Sequence, residues 1–431
     1  MTLATAASPS VFPSPGAPAL IAPGDVRQLE HWRLAIERLG DVDGIAPPQV
    51  WAGLEHYMGQ SLRTALLESV RRLHAVSRSL DAQRRTVATP AQAAEWRRRL
   101  VALRRAYFRT EAMIDFFADA LATRASPRTG ALLRACDHIA TRSMAEVLAP
   151  LGRQVPSALV FLEKGPGAAI LRGGLILNDG LTPNPVAAIR ITRHNLLRAT
   201  ALIHEAGHQV AAMLGWVPEL AARIRALPFA DEARSAWASW ASEIAADAFA
   251  LAHTGFASLL ALRDVVDGDH AAAFQFIPGD PHPIPYLRVE LSAAVLRRAY
   301  GAGPWDETIA EWRRAHPLHA APHDVAALAR ASAPLLPGVA DAMLWSRYPA
   351  FGGRALSEVI DPERVSPRAL AELQRAIGGA LHRSPYWLWN EAIRVLALTG
   401  LEAGGGAEDT RAAMRRQEEW MLTLGAARAG Q

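Results

Sequence analysis

One stretch constrains this chain more than any other: residues 196–214, LLRATALIHEAGHQVAAML. Its apolar residues recur at helical spacing, and Leu197, Ala201, His204, His208 and Ala211 form a stripe at intervals of 4, 3, 4 and 3. On a helix, His204 and His208 lie one turn apart, so both imidazoles can reach a single zinc ion. The stripe predicts that they emerge from the buried side, as a site in a cleft requires. Glu205 follows the first histidine, placed to take a proton from a zinc-bound water, whose pKa the ion lowers towards about 7. With 14 His in 431 residues, chance alone gives only about 0.02 matches to HExxH.

A catalytic zinc takes three protein ligands and keeps one position open. A metzincin continuation would need Gly and His at 211 and 214, where this chain has Ala211 and Leu214. Residues 231–253 predict a further helix, containing SWASEIAADAFALAH. There Glu243 and Asp247 are four apart on one face, with Trp240, Ile244 and Leu251 for packing. Glu243 is the candidate third ligand, and Asp247 can accept the second N–H of a ligand histidine and fix its tautomer. Glu232 competes for the ligand role, but Ala236 rather than an acid lies one turn beyond it. The plain alternative is a solvated Glu/Asp pair on a surface.

A third element is Asp280-Pro281-His282-Pro283-Ile284-Pro285-Tyr286-Leu287-Arg288-Val289. Prolines on both sides hold His282 in an extended loop. A tetrahedral intermediate would need a donor for its oxyanion, and His282, Tyr286 and Arg288 are the candidates, with His282 the best preorganised. Capping the metal or a structural loop role are its alternatives. Arg288 falls at the start of a predicted helix, 286–300, where it can pair with Asp247 or Glu243.

HExxH, then ExxxD on a later helix, then HPxxxxR and an aliphatic residue resembles the HtpX-like and CAAX-prenyl-protease-type gluzincin metallopeptidases, over about residues 186–300. The resemblance implies an α+β, mostly α, zincin-like core. It implies one zinc ion per chain on His204, His208 and Glu243, with Glu205 as base and Asp247 behind the ligands. His282 and Arg288 match the later motif. Many members carry membrane spans, but here no run approaches 18 apolar residues, so no span is expected.

Around this segment the pattern is helical. Residues 1–24, almost all small or apolar and without charge, read as a flexible leader. Residues 25–151 read as an amino-terminal helical region, with segments such as 51–80 and 91–123. Residues 152–300 form the candidate catalytic core, and 301–431 a carboxy-terminal helical region ending in a helix over 409–424. Near the start of the core, residues 157–162, 168–177 and 186–191 are β-rich, separated by Lys164-Gly165-Pro166-Gly167 and Asn178-Asp179-Gly180 turns. They predict a sheet of about three strands, and 186–191 is expected to offer an edge to an extended substrate.

The remaining features weigh less. Lys164 is the only lysine, and residues 61–110 hold twelve arginines against Glu68, Asp81 and Glu95. This stripe is read as a solvated or acid-paired helix face rather than a nucleic-acid surface. His316, His319 and His323 are a weak second metal candidate, broken by Pro317 and Pro322; Trp387 and Trp389 read as core. The single cysteine, Cys136, excludes a disulfide framework and fits a reducing compartment. With the first charge at Asp25 and no secretory pattern, a soluble cytoplasmic protein is expected. The expected function is a zinc endopeptidase acting on a protein or peptide. The rivals are a helical binding module with structural or vestigial zinc, and a protease with one dedicated target.

Overall fold

The computed structural model describes residues 20–58, 61–163, 169–171, 173, 184, 186–228 and 231–427. The Lys164–Gly167 and Asn178–Gly180 turns, most of the 168–177 strand, the first 19 leader residues and the Leu197 side chain lie outside that set. Four helices open the described chain: α1 (Pro23–Leu39), α2 (Pro48–Met58), α3 (Ser61–Arg84) and α4 (Pro90–Ala122). The 51–80 segment falls across α2 and α3, and the 91–123 segment is α4.

Packing divides the chain into two units. One draws its helices from Met1–Ile45 and Arg63–Ala118. Here the Trp96 indole, buried, donates to the Leu80 carbonyl at 2.8 Å and pins α4 to the end of α3. Much of the arginine stripe is paired: Arg63 with Asp43, Arg71 and Arg72 with Glu68, Arg84 with Asp81, Arg97 with Asp25, Arg98 with Glu95. An acid-paired face is what these contacts describe, and exposed pairs of this kind contribute little stability each.

The other unit contains Ala46–Leu62, and with it α2, together with Asp119–Leu175 and everything from Pro183 onward. It comprises α5 (Pro127–Leu148), strands β1 (Ser157–Leu162), β2 (Ala169–Leu171) and β3 (Val186–Ile191), then α6 (Ala201–Leu214) and α7 (Trp216–Arg225). Next come α8 (Asp231–Ser239), α9 (Ala241–Thr254), α10 (Phe256–Val266), α11 (His270–Ala273) and α12 (Pro285–Tyr300). Further helices follow up to the last, Ala407–Ala426. One apolar core runs from Leu132 on α5 to Leu424 on that last helix. The cuts between the two units therefore fall, among the described residues, at Ile45–Ala46, Leu62–Arg63 and Ala118–Asp119. The helices on either side of the 152–300 segment share its core. Among the described residues no helix is long and apolar enough to cross a membrane.

The sheet corrects one expectation. Its order is β1-β3-β2, with β1 parallel to β3 (Ser157 opposite Val186) and β2 antiparallel to it (Ile170 opposite Ile189). Val186–Ile191 is thus the central strand and offers no free edge; the outer strands are β1 and β2. The reason is in its composition. VAAIRI is apolar on both faces, and Val186, Ala187, Ala188 and Ile189 are all buried, which is the pattern of an interior strand and not of an edge. A buried fork anchors this sheet to α5: Arg124 donates to both Asp137 oxygens at 2.7 and 2.8 Å, and Asp137 accepts the Val160 N–H at 2.6 Å.

α6 packs on α5, on β2 and β3, and most extensively on α9. Its deepest residues are Leu202, Ile203, Ala206 and Val210, so His204 and His208 stand at the rim of the buried surface, not at its centre. At Gly207 the two helices come closest: a Cβ there would lie 2.9 Å from Ala246 Cα and 3.0 Å from Phe249 Cβ. α6 ends at Gly215, whose left-handed φ of 68° turns the chain into α7. Gly207→Ala forces these backbones apart, at a cost of about 1–3 kcal/mol. A lower Tm together with weakened metal binding is the expected result; unchanged values of both would mean that the approach is not needed.

Candidate metal centre

The site grows from two helices. α6 is a helix of good formers, and its HEAGH sequence sets His204 and His208 one turn apart with their rings edge to face, 4.8 Å between centroids. α9 opposes it. The expected helix 231–253 is broken at Trp240 into α8 and α9, with Trp240 and Trp237 packed edge to face. α9 itself is buried from Glu243 to Thr254, so Glu243 and Asp247 are not a solvated surface pair.

The three expected donors converge. Glu243 Oε2 is 3.3 Å from His204 Nε2, and Glu243 Oε1 is 3.2 Å from His208 Nε2. All three ligand atoms lie within 4.8 Å of one another, and this is the one group among the described residues that can hold a metal ion. The spacing fits such an ion: tetrahedral ligands about 2.1 Å from a metal stand about 3.4 Å apart. Glu232 is exposed on α8 and takes no part.

Behind the donors lies a second layer. Asp247 Oδ1 is 2.9 Å from His204 Nδ1, which leaves Nε2 turned to the centre. Arg288, at the start of α12, donates to Asp247 through Nε at 2.6 Å and Nη2 at 2.8 Å, and to Glu243 Oε2 at 3.2 Å. The sequence left Arg288 a choice of Asp247 or Glu243, and the structure gives it both. The fork is bidentate on Asp247, the geometry that an arginine adds over a lysine.

Charge explains why these groups tolerate burial together. Glu205, Glu243, Asp247 and Arg288 are all buried. With all three ionised, the carboxylates against one guanidinium leave two negative charges in excess, which a divalent cation would neutralise. Without such an ion, His204 takes up part of the load. Burial opposes its charge, but the hydrogen bonds to Asp247 and Glu243 prevail and push it up to about 9. Burial likewise works against the Glu243 carboxylate, yet His204, His208 and Arg288 hold it well below the usual carboxylate range. Glu205 goes the other way: burial raises it more than His204 and His208 lower it. Its carboxylate has no hydrogen-bond partner among the described residues.

His282 reaches the site from the loop before α12. Its Nε2 lies 3.7 Å from Glu243 Oε1, and its side chain is 60% exposed. Tyr286 does not join it; it stacks on Phe274 at 5.0 Å and faces Glu290 and Arg313. Nor do His316, His319 and His323 assemble. His316 binds Asp267 at 3.0 Å and packs on Trp312. Cys136 is fully buried, and Trp389 packs against the core beside His138. Two features went unread in the sequence. Gln209 exchanges hydrogen bonds with the Gly173 backbone, tying α6 to the chain just after β2. Asp280 grips His282, and the Asp-Pro-His order of a turn was its only signal.

Compared with known proteins, the chain matches no protein-family model, no curated protein and no solved structure. The geometry alone therefore sets the test. Glu243→Ala should lose the metal, while Glu232→Ala keeps it; metal analysis of the two purified variants decides, and the reverse pattern would sink the assignment. Asp247→Asn should retain the fold but weaken metal affinity by roughly 10- to 100-fold. Unchanged affinity by competition with a chelator would show that the His204 contact does nothing for the metal.

Proposed function

We propose that the chain is a zinc-dependent endopeptidase with a zincin-like core, akin to the HtpX-like and CAAX-prenyl-protease-type metallopeptidases. The carrying observation is the convergence of the half-buried His204 and His208 on the buried Glu243, with the buried carboxylate of Glu205, unpartnered among the described residues, near them. A site that only held structure would have no use for Glu205. Two imidazoles and one carboxylate form the donor set that catalytic zinc takes, with a position left for water or substrate. Zinc held there supplies a Lewis acid and brings the pKa of a coordinated water towards about 7.

The chain's own residues do the rest. Glu205 takes a proton from the attacking water and delivers it to the leaving amine, since its raised pKa suits a group that must both accept and return a proton. His282, on the exposed side, turns Nε2 towards the site, and with both ring nitrogens protonated it donates from Nε2 to the carbonyl oxygen where charge develops. Arg288 and Asp247 keep His204 in one orientation throughout the cycle.

Glu205→Gln tests the reading. The amide keeps the shape but cannot accept the proton, so the variant should stay folded and metal-loaded and lose hydrolysis by several orders of magnitude. Incubating a whole proteome with the intact protein and with Glu205→Gln, and sequencing the new termini, reads both activity and preference. Equal cleavage by the two proteins, each metal-loaded, would reject Glu205 as the base. An absence of any cleavage by the intact protein would favour the binding-module alternative.

A further inference from the structure

The histidine that faces the metal group is the one site residue outside the helices. Its neighbours leave it little support: the side chain is 60% exposed, and it is flanked by Pro281 and Pro283, which have no N–H to offer. What holds the ring is a single atom. Asp280 Oδ1 accepts the backbone N–H of His282 at 2.8 Å and lies 2.6 Å from its Nδ1. One oxygen thus ties the ring to its own main chain, which fixes the side-chain torsions as well as the tilt of the ring. With Nδ1 committed to Asp280, Nε2 is the only ring nitrogen left for the site, and it lies 3.7 Å from Glu243 Oε1.

We propose that Asp280 is the positioning residue of His282, fixing which ring nitrogen faces the His204–His208–Glu243 group. This rests on the peptidase reading for its effect on turnover, though not for its effect on the ring. Freed from Asp280, an exposed imidazole on a loop samples several rotamers and both tautomers, and a reacting group displaced by about 1 Å can lose up to 10²-fold in rate. Asp280 touches neither the metal donors nor the side of the ring that meets substrate, so it acts only through His282. Because the carboxylate also caps the turn, a plain loss of loop structure is the effect to be told apart.

The test combines four proteins: wild type, Asp280→Ala, His282→Ala and the double variant, with Asp280→Asn as the conservative control. Peptide hydrolysis in Asp280→Ala should fall about tenfold in kcat, with KM and zinc content unchanged, and Asp280→Asn, which keeps an acceptor oxygen, should recover most of it. In the His282→Ala background, Asp280→Ala should add nothing, since its only route of action is gone. An additive loss in the double variant would overturn the proposal and assign Asp280 to loop structure. The second readout needs no activity. Nitrogen-15 NMR of the histidine rings, with His282 assigned by its loss in His282→Ala, should show the neutral ring protonated at Nδ1 in wild type. In Asp280→Ala that ring should shift towards the Nε2-protonated form. An unchanged His282 tautomer in Asp280→Ala would overturn the proposal whatever the chain catalyses. A tautomer shift without any detectable hydrolysis would uphold it and reject the peptidase reading instead.

Discussion

The close approach of α6 and α9 at Gly207 is the constraint on which the rest of the site depends. A side chain one carbon long would already lie 2.9 Å from Ala246 Cα, so only glycine allows this separation. The consequence reaches both ways along the helices. Three residues before Gly207 stands His204 and one after it His208; on the facing helix, Ala246 sits between Glu243 and Asp247. Bringing the backbones together at one point therefore brings two imidazoles and two carboxylates together around it. Packing here does what flexible side chains alone do poorly: it sets donor separations of 3.2 and 3.3 Å, with the torsions of four side chains fixed by their helices.

That proximity creates an electrostatic problem, and Arg288 solves part of it. Two carboxylates on one turn of a buried helix would repel and draw in protons, were there no cation among them. The guanidinium forks onto Asp247 and reaches Glu243, so the helix α12 is coupled to α9 by charge as well as by apolar contact. A metal cation held by His204, His208 and Glu243 would meet the excess negative charge that remains, and protonation of His204 offsets part of it. Metal binding at such a place is linked to folding, because the unfolded chain has no preformed donor set to offer. The core and the site are then one structure, and a defect in either is felt in the other.

How much of this was legible in the sequence follows from how local each feature is. HEAGH, the Glu243–Asp247 pair and Arg288 could be read because helical spacing alone puts each pair of residues on one face. The converging donors needed only two helices to meet, but Gly207, where they meet, carried no reading of its own in the sequence. The sheet edge was misread because VAAIRI was judged by its position before α6, when its unbroken apolar run argued for the interior. The domain limits followed changes in composition, whereas the core crosses them: α5 and the last helix pack together although almost 300 residues separate them. Such long-range pairings leave no mark in a local window. The arginine stripe read as an acid-paired face, but two of the acids that pair with it, Asp25 and Asp43, lie outside the stripe and were not visible in its local count.

The site also has two kinds of residue, and exposure separates them. His204, His208, Glu205, Glu243, Asp247 and Arg288 all sit on helices of the core and are buried or half-buried, His204 the most open of them at 18% of its side chain. Their positions cannot change without repacking α6, α9 or α12. His282 differs: it is carried by a loop, open to solvent, and anchored through a carboxylate two residues away. Local opening of a loop costs far less than opening a core helix, and the 275–282 segment that carries His282 is exposed or half-buried between the buried Phe274 and Pro283. The groups around the candidate metal position are rigid because the fold needs them where they are, whereas His282 is held by the hydrogen bonds of one loop carboxylate.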